Sequence, residues 1–202
     1  MKRKMFKGFN CLFCILFMFL FLIVSDSSAQ VKTTIAIGMA GDTETFDQHL
    51  STSTISWSYQ FSIYDALVNS DENSKPIPGL AKSWKIIDDK TWIFNLREGV
   101  TFHNGEKCDA SSIKFSLERA KTHPKSLSKG YLTLVNEIRI LDPGTIQIKM
   151  VTPFPDLLEN LSMIAIYPEK YLKSVGDDKF FLQPVGTGPY KLVEWIKDRH
   201  AK

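Results

Sequence analysis

Cysteine is scarce in this sequence. Of three in 202 residues, Cys11 and Cys14 sit inside an apolar N-terminal run. Beyond that run only Cys108 remains, so no intrachain disulfide can staple the fold. This excludes a disulfide scaffold, though not an oxidising compartment. Paired metal ligands are missing as well. His103, in Phe102-His103-Asn104-Gly105, has no second His within four residues, and Cys108 lies five positions away across a glycine. Zinc sites show paired ligands at short spacing, and Asn-Gly forms turns. His103 therefore reads as structural, and neither a metal nor a cofactor is expected. Positive charge is not concentrated either. Lys and Arg number 25 against 22 Asp and Glu, a formal net charge of +3. Residues 1–29 hold that whole excess, with four basic residues and one acid, which leaves 21 of each sign in residues 30–202. A nucleic-acid surface needs a basic patch or stripe, so no nucleic-acid partner is expected.

Catalytic signatures are equally sparse. No serine lies in a Gly-x-Ser-x-Gly elbow. Asp47 and His49 are close in sequence, but nearness does not define a triad. The carboxylate pairs Asp88/Asp89 and Asp177/Asp178 fall in predicted turns and read as solvated turn residues rather than an acid/base couple. Gly186-Thr187-Gly188-Pro189 is not a phosphate loop. Pro189 removes a backbone donor, and a strand-like segment follows where a phosphate loop would open a helix.

Only one long apolar run is present. Cys11 to Val24 is unbroken over 14 residues, preceded by Lys2-Arg3-Lys4 and Lys7 and followed by Ser27-Ser28-Ala29. That is the layout of a secretory signal peptide over residues 1–29, with cleavage after Ala29. A transmembrane helix needs about 20 apolar residues. Cys11 and Cys14 lie within the apolar core, after Asn10 and Phe13, so neither has the setting of a lipidated cysteine.

The remaining 173 residues suffice for one sizeable core or two small lobes. Thr33 to Met39 predicts a buried strand, and Gly41 to His49 a polar loop. Ile55 to Val68 carries Trp57, Phe61, Tyr64 and Leu67/Val68 at helical spacing. Asp71 to Pro78 reads as a loop where the chain changes subdomain. Ser83–Ile87 and Thr91–Leu96 predict a hairpin, with Trp84 and Ile86 on one face of its first strand and Trp92 and Phe94 on one face of its second. Asp109 is an N-cap for a helix that buries Ala110, Ile113, Leu117 and Ala120. Asn136–Leu141 and Thr145–Val151 form a second hairpin around Asp142-Pro143-Gly144. A short helix over Asp156–Leu161, an apolar strand over Ser162–Tyr167, a helix over Glu169–Val175 with Pro168 in its first turn, and a strand over Tyr190–Lys197 complete the reading. Most aromatics belong in the core. Trp57, which follows the polar Ser51-Thr52-Ser53-Thr54, is a candidate for a cleft wall.

Several motifs occur in a specific order. Thr45-Phe46-Asp47-Gln48-His49 is followed by Ile63-Tyr64-Asp65-Ala66-Leu67-Val68, then Gly79-Leu80-Ala81-Lys82-Ser83-Trp84. Leu96-Arg97-Glu98-Gly99-Val100-Thr101-Phe102-His103-Asn104-Gly105 comes next, then Asp109 to Arg119, and finally Gly186-Thr187-Gly188-Pro189-Tyr190. In this order and spacing the chain resembles the extracellular solute-binding proteins, family 5, which serve ABC importers of peptides, nickel and related solutes. It departs from the family pattern at Gln48, where a Pro is usual, at Asn104 in an Asp position, and at Ser111-Ser112 in place of an acidic pair.

The resemblance implies an α/β, periplasmic-binding-protein-like two-lobe fold, of which only the N-terminal lobe and its inserted subdomain are present. Residues 30–75 and 168–202 would belong to the first lobe and 76–167 to the inserted subdomain. The second lobe would lie beyond Lys202, so the chain is expected to be an N-terminal fragment. The implied function is binding, not catalysis: a periplasmic monomer captures a peptide or related small solute and delivers it to a membrane permease. A sensory receptor for the same solutes would look identical in sequence, and a secreted hydrolase would need a nucleophile–base constellation that is not visible. By position in the family, the cleft residues would be Thr45, Phe46, Ser53, Thr54, Trp57, Met163 and Ile164.

Overall fold

A computed structural model describes residues 35–202. The signal-peptide reading, with Cys11 and Cys14, falls outside the described residues, as do Thr33 and Thr34 of the predicted first strand. The rest of that strand is not formed. Ile35 to Met39 have no assigned secondary structure, and Ile35 and Ile37 are 80% and 78% exposed. Apolar, β-branched residues become a strand only where a neighbouring edge satisfies their backbone. The body of the fold is the unit Met39–Lys202.

Both predicted hairpins are present and join into one antiparallel sheet. Its strands are β3 (Ala81–Asp88), β4 (Thr91–Leu96), β5 (Val135–Asp142) and β6 (Thr145–Met150), in the order β3-β4-β6-β5. The register aligns two apolar rows across all four strands. Trp84 pairs with Phe94, Phe94 with Ile146 and Ile146 with Ile140; Ile86 pairs with Trp92, Trp92 with Ile148 and Ile148 with Ile138. Period-two side chains at paired positions share a face, so these rows form one continuous apolar surface. The helix α2 (Ala110–Thr122) packs against β5 and β6. Ala110, Ile113, Leu117 and Ala120 are fully buried on it, and Asp109 accepts hydrogen bonds from the Ser111 and Ser112 N–H groups at 2.9 and 3.4 Å. That cap satisfies donors that the first helical turn leaves without a partner.

Before this sheet the chain departs from the sequence reading. The helix α1 runs only from Thr54 to Ile63, and Tyr64 leaves it. Its buried residues are Ser56, Gln60 and Ile63, not the Trp57–Phe61 stripe; Phe61 is 52% exposed. The polar side is buried because the irregular segment beside it needs partners. Ser56 Oγ accepts from the Glu44 N–H at 3.1 Å, and Gln60 Nε2 donates to the Thr45 carbonyl at 2.7 Å. The predicted polar loop over residues 41–49 is accordingly an inner segment: Thr43, Thr45, Asp47, Gln48 and His49 are buried. The predicted loop 71–78 also contains structure. β1 (Val68–Ser70) pairs antiparallel with β2 (Pro76–Pro78), and Asp71 closes the turn by accepting from the Asn73 and Lys75 N–H groups, each at 2.8 Å.

After the sheet come α3 (Leu157–Ser162), α4 (Glu169–Val175) and α5 (Asp177–Leu182). Pro168 is the N-cap of α4, one position before its first turn. The predicted strand over 162–167 reduces to a single bridge between Ala165 and Ala66. α5 replaces a predicted turn, starting after Gly176 at φ 76°. The predicted strand over 190–197 also shrinks, to β7 (Trp195–Ile196), paired only with β8 (His200–Ala201). A second apolar cluster joins these parts: Phe46, Ile63, Tyr64, Ala165, Tyr167, Leu172 and Phe180.

Candidate functional site

Three arrangements bring distant residues together. The first is a clasp around the Gly186–Tyr190 loop. The Gly188 N–H donates to the Ile63 carbonyl at 2.9 Å and the Tyr190 N–H to that of Ser62 at 3.0 Å, so the loop satisfies the open C-terminal carbonyls of α1. A Cβ on Gly186 would lie 2.0 Å from the Ile63 oxygen, and one on Gly188 2.6 Å from the Ile63 carbonyl carbon. Only glycine permits that approach. His103 holds the loop from the other side. Its N–H donates to the Gly186 carbonyl at 2.8 Å, its Nδ1 accepts from the Gly186 N–H at 3.3 Å, and its Nε2 donates to the Gly188 carbonyl at 2.8 Å. Thr187 Oγ1 donates to Asp65 at 2.8 Å. All of the His103 ring's hydrogen-bonding capacity is used by this loop.

The second is a buried polar network that the sequence did not announce. Asp47 has no exposed surface. It accepts from Arg119 Nη2 at 2.5 Å and Nη1 at 3.2 Å, and from the Tyr167 hydroxyl at 3.0 Å. Arg119 Nη2 also donates to Asp177 at 2.7 Å, and Asp177 meets His123 Nε2 at 3.0 Å. Asp177 is therefore an ion-pair partner rather than a solvated turn residue. Arg119 Nη1 is 3.1 Å from His49 Nδ1, and His49 Nε2 is 2.9 Å from the Ala165 carbonyl. An arginine can only donate, so His49 is neutral, with its proton on Nε2. Burial pushes its pKa down to about 4; Asp47 opposes that shift and Arg119 adds to it. Burial also works against charge on Arg119, but the Asp47 carboxylate outweighs it and raises the guanidinium's pKa further. Asp47, His49 and Arg119 resemble catalytic parts but leave no surface for a substrate. Cys108 is inert for a similar reason, with burial pushing its thiol up to about 12.

The third is a half-open cavity of about 430 Å³ at the C-terminal end of α1. Its walls include Gln48, Gln60, Phe61, Asn69, Ser70 and Met163. Gln48 ties the far wall in place, with Nε2 donating to the Met163 carbonyl at 2.5 Å and Oε1 accepting from the Ala165 N–H at 3.1 Å. Asp65 also lines the cavity, and among the described residues no Lys, Arg or His does.

Of the seven residues named from the family pattern, only Met163 lines this cavity. Ser53, Thr54 and Trp57 lie at the opposite end of α1. Ser53 caps it, with its Oγ 3.4 Å from the Ser56 N–H, and Trp57 Nε1 donates to the Ser51 carbonyl at 3.2 Å. Thr45 is nearly buried and reaches the cavity only through Gln60. Phe46 and Ile164 are fully buried in the core and do not line this cavity; Phe46 makes an edge-on contact with Trp195 at 5.2 Å. Gln60, Gln48, Asn69 and Asp65 were missed. The one available signal was the polar Ser56–Gln60 spacing of four, which lies along one helix face.

An α/β lobe of this topology, with a part-polar cavity beside its first helix, is that of a periplasmic binding protein. The chain belongs to the bacterial extracellular solute-binding proteins, family 5, whose model matches residues 75–202. It is 31% identical over 177 residues to the glutathione-binding protein GsiB of Salmonella paratyphi A, covering 83% of this chain and 33% of that protein. It is 29% identical over 203 residues to the dipeptide-binding protein of Escherichia coli K12, covering 87% of this chain and 38% of the relative. Among solved structures, it is similar to the binding protein AgaA in complex with agropinic acid from A. tumefacien R10, with a TM-score of 0.75 and 28% identity over 81% of this chain and 34% of that one. It is also similar to NikZ from Campylobacter jejuni in complex with Ni(L-His), with a TM-score of 0.70 and 30% identity over 79% and 32%. The chain thus spans about a third of the length of the relatives it matches. Among the described residues no helix is long and apolar enough to cross a membrane.

Proposed function

We propose that this chain supplies one wall of a solute-capture cleft in the binding component of an ABC importer, taking a peptide or related small solute in the periplasm and passing it to a membrane permease. The observation that carries this reading is the part-polar cavity beside α1, on a lobe that matches proteins named for binding glutathione, dipeptides and Ni(L-His). Residues 1–29 act as the export leader, cut after Ala29, and the exported chain is a monomer. Residues 30–75 and 168–202 form the first lobe, with 76–167, which contain the four-stranded sheet, as its inserted subdomain. Met163 faces the solute in the cavity, Ser53, Thr54 and Trp57 are further cleft positions at the other end of α1, and Thr45 positions Gln60. The role is binding without catalysis. Capture works by closure: solute biases a hinge because the closed form binds it more tightly. One wall alone leaves each polar contact in competition with water.

Uptake of labelled dipeptide and glutathione should fall in cells lacking this gene product and return when it is restored. Unchanged uptake across a peptide panel would sink the import reading. In calorimetry the 202-residue chain by itself should bind these solutes only weakly. Sub-micromolar affinity would overturn the closing-cleft part of the proposal.

A further inference from the structure

The cavity beside α1 has an unusual chemical balance. Gln60 has no exposed surface. Its amide orientation is fixed, because Nε2 donates to the Thr45 carbonyl at 2.7 Å, and that carbonyl also accepts from Thr43 Oγ1 at 2.6 Å. Turning the amide over would set two acceptors against each other. Oε1 is thereby left as an acceptor, and among the described residues it is the one buried side-chain polar atom with no hydrogen-bond partner. A buried polar atom without a partner costs about 1–3 kcal/mol. Native structures leave few of them, so each one calls for an account. Gln60 is at the same time a wall residue of the cavity.

The other wall residues point the same way. Asp65 brings a carboxylate, one of whose oxygens accepts from Thr187, while Asn69 and Ser70 bring groups that can donate or accept. Among the described residues no cationic side chain lines the cavity to neutralise that carboxylate. Tyr64 also lines it, but its hydroxyl is spent on the Phe46 carbonyl at 2.9 Å, and burial raises its pKa well above the ordinary value. Phe61, Ile77 and Met163 form the apolar part of the wall. An apolar wall with one unpaired acceptor and one carboxylate suits a group with a short hydrocarbon body and a cationic N–H head.

We infer that this cavity receives a cationic N–H donor carried on a short apolar stem, an alkylammonium or guanidinium group of the solute, with Gln60 Oε1 and the Asp65 carboxylate as its acceptors. The inference rests on the solute-capture reading and narrows it to solutes with such a group. It disfavours solutes that would present a carboxylate at this point, because an anion would meet the like charge of Asp65 with no cationic side chain among the described lining residues to offset it.

The test is an amide NMR titration of the 202-residue chain with n-butylammonium and, separately, with butyrate, which share a stem and differ in the sign of the head. Butylammonium should give saturable millimolar shifts at the Gln60 side-chain amide and the backbone amides of Asn69 and Ser70; butyrate should not saturate. Asp65→Asn keeps an acceptor for Thr187 and removes the charge, so butylammonium affinity should fall about tenfold, the scale of one charge-assisted hydrogen bond. Gln60→Met keeps the length and removes the acceptor, and should abolish saturation while resonances in the β3–β6 sheet stay in place. If Gln60→Met disturbs those resonances, the Asp65→Asn titration decides. Equal saturation by butyrate, binding indifferent to Asp65→Asn, or no saturable shifts with either probe would overturn the inference; the last would mean that water alone meets Oε1. These outcomes are separable from failure of the import reading. Lost uptake without cation preference refutes only the cavity's specificity, and cation binding with unchanged uptake refutes only the import role.

Discussion

The β3–β6 sheet and the surroundings of Tyr167 each hold a set of fully buried side chains, but of different materials. In the sheet, Phe94, Ile146 and Ile148 have no exposed surface and touch other hydrocarbon. Around Tyr167, the fully buried set mixes Phe46 and Phe180 with Asp47 and His49, and Arg119 lies 5.5 Å above the Tyr167 ring. The sheet draws on residues 81–150: its two hairpins pair sequence neighbours, and β4 and β6 join them across 50 to 58 positions. The polar network ties together residues 47, 49, 119, 167 and 177. Apolar burial is non-directional and tolerates small shifts. A buried ion pair is stable only when every partner arrives in the right geometry. The sheet should therefore respond to lost volume, and the network to lost partners and to pH.

Four measurements test that contrast, in falling order of expected effect. Asp47→Ala leaves the Arg119 charge buried with the partly exposed Asp177 as its one remaining carboxylate partner among the described residues. It should cost about 3–5 kcal/mol, the usual penalty for breaking a buried pair, read as a lower urea midpoint. A loss below the cost of a surface substitution would show that water enters the network. Ile148→Ala removes the middle of a cross-strand row and should cost about 2–5 kcal/mol through lost transfer energy and a cavity. Unlike Asp47→Ala, its cost should be the same at pH 5 and pH 7; a strong pH dependence would tie the two regions together.

Acid should destabilise the network specifically. His49 falls from an ordinary 6.5 to about 4 in the folded chain, so between those values the unfolded chain binds more protons. Its contribution is complete above pH 6.5 and is lost as pH falls through about 4, a total of about 3 kcal/mol at 1.36 kcal/mol per unit. Urea unfolding from pH 7 to pH 4 checks this, and His49→Gln should flatten the profile. If the profile of that variant matches the unaltered chain, His49 is not the group responsible. Asp177, which Arg119 holds below the ordinary carboxylate value against the effect of burial, extends the same trend to lower pH. The smallest effect belongs to Asp109→Ala, which removes the cap of α2 and should cost about 1 kcal/mol, with α2 amides near Ser111 exchanging faster.

The same contrast separates what was legible in sequence from what was not. The hairpins of the sheet, their turns and the buried face of α2 follow from alternation, Asp142-Pro143-Gly144 and an Asp cap. Each of these signals lies within a few residues of the structure it specifies. The buried face of α1 was misread because Ser56 and Gln60 look solvent-facing until the backbone of residues 44–45 is placed beside them. Asp177 was taken for a turn residue because nothing within ten positions shows the guanidinium it meets. The family motifs were visible as strings, yet the reason that Phe102-His103-Asn104-Gly105 and Gly186-Thr187-Gly188-Pro189-Tyr190 occur together appears only where His103 meets the Gly186 and Gly188 backbone.

For the candidate site, sequence position singled out the first turn of α1 and Met163. Tertiary structure added Gln60, Asp65 and Asn69 as cavity residues and placed Phe46 and Ile164 in the core, away from that cavity. By itself the sequence determined the two hairpins of the sheet, the capped helix α2, the charge balance and the family, because periodicity, caps and turn residues act over short range. Which polar groups are buried, which of them are paired, and which acceptor is left for a ligand were decided only by tertiary structure. Those properties depend on partners 15 to 120 positions apart in the chain, whose meeting no local pattern encodes.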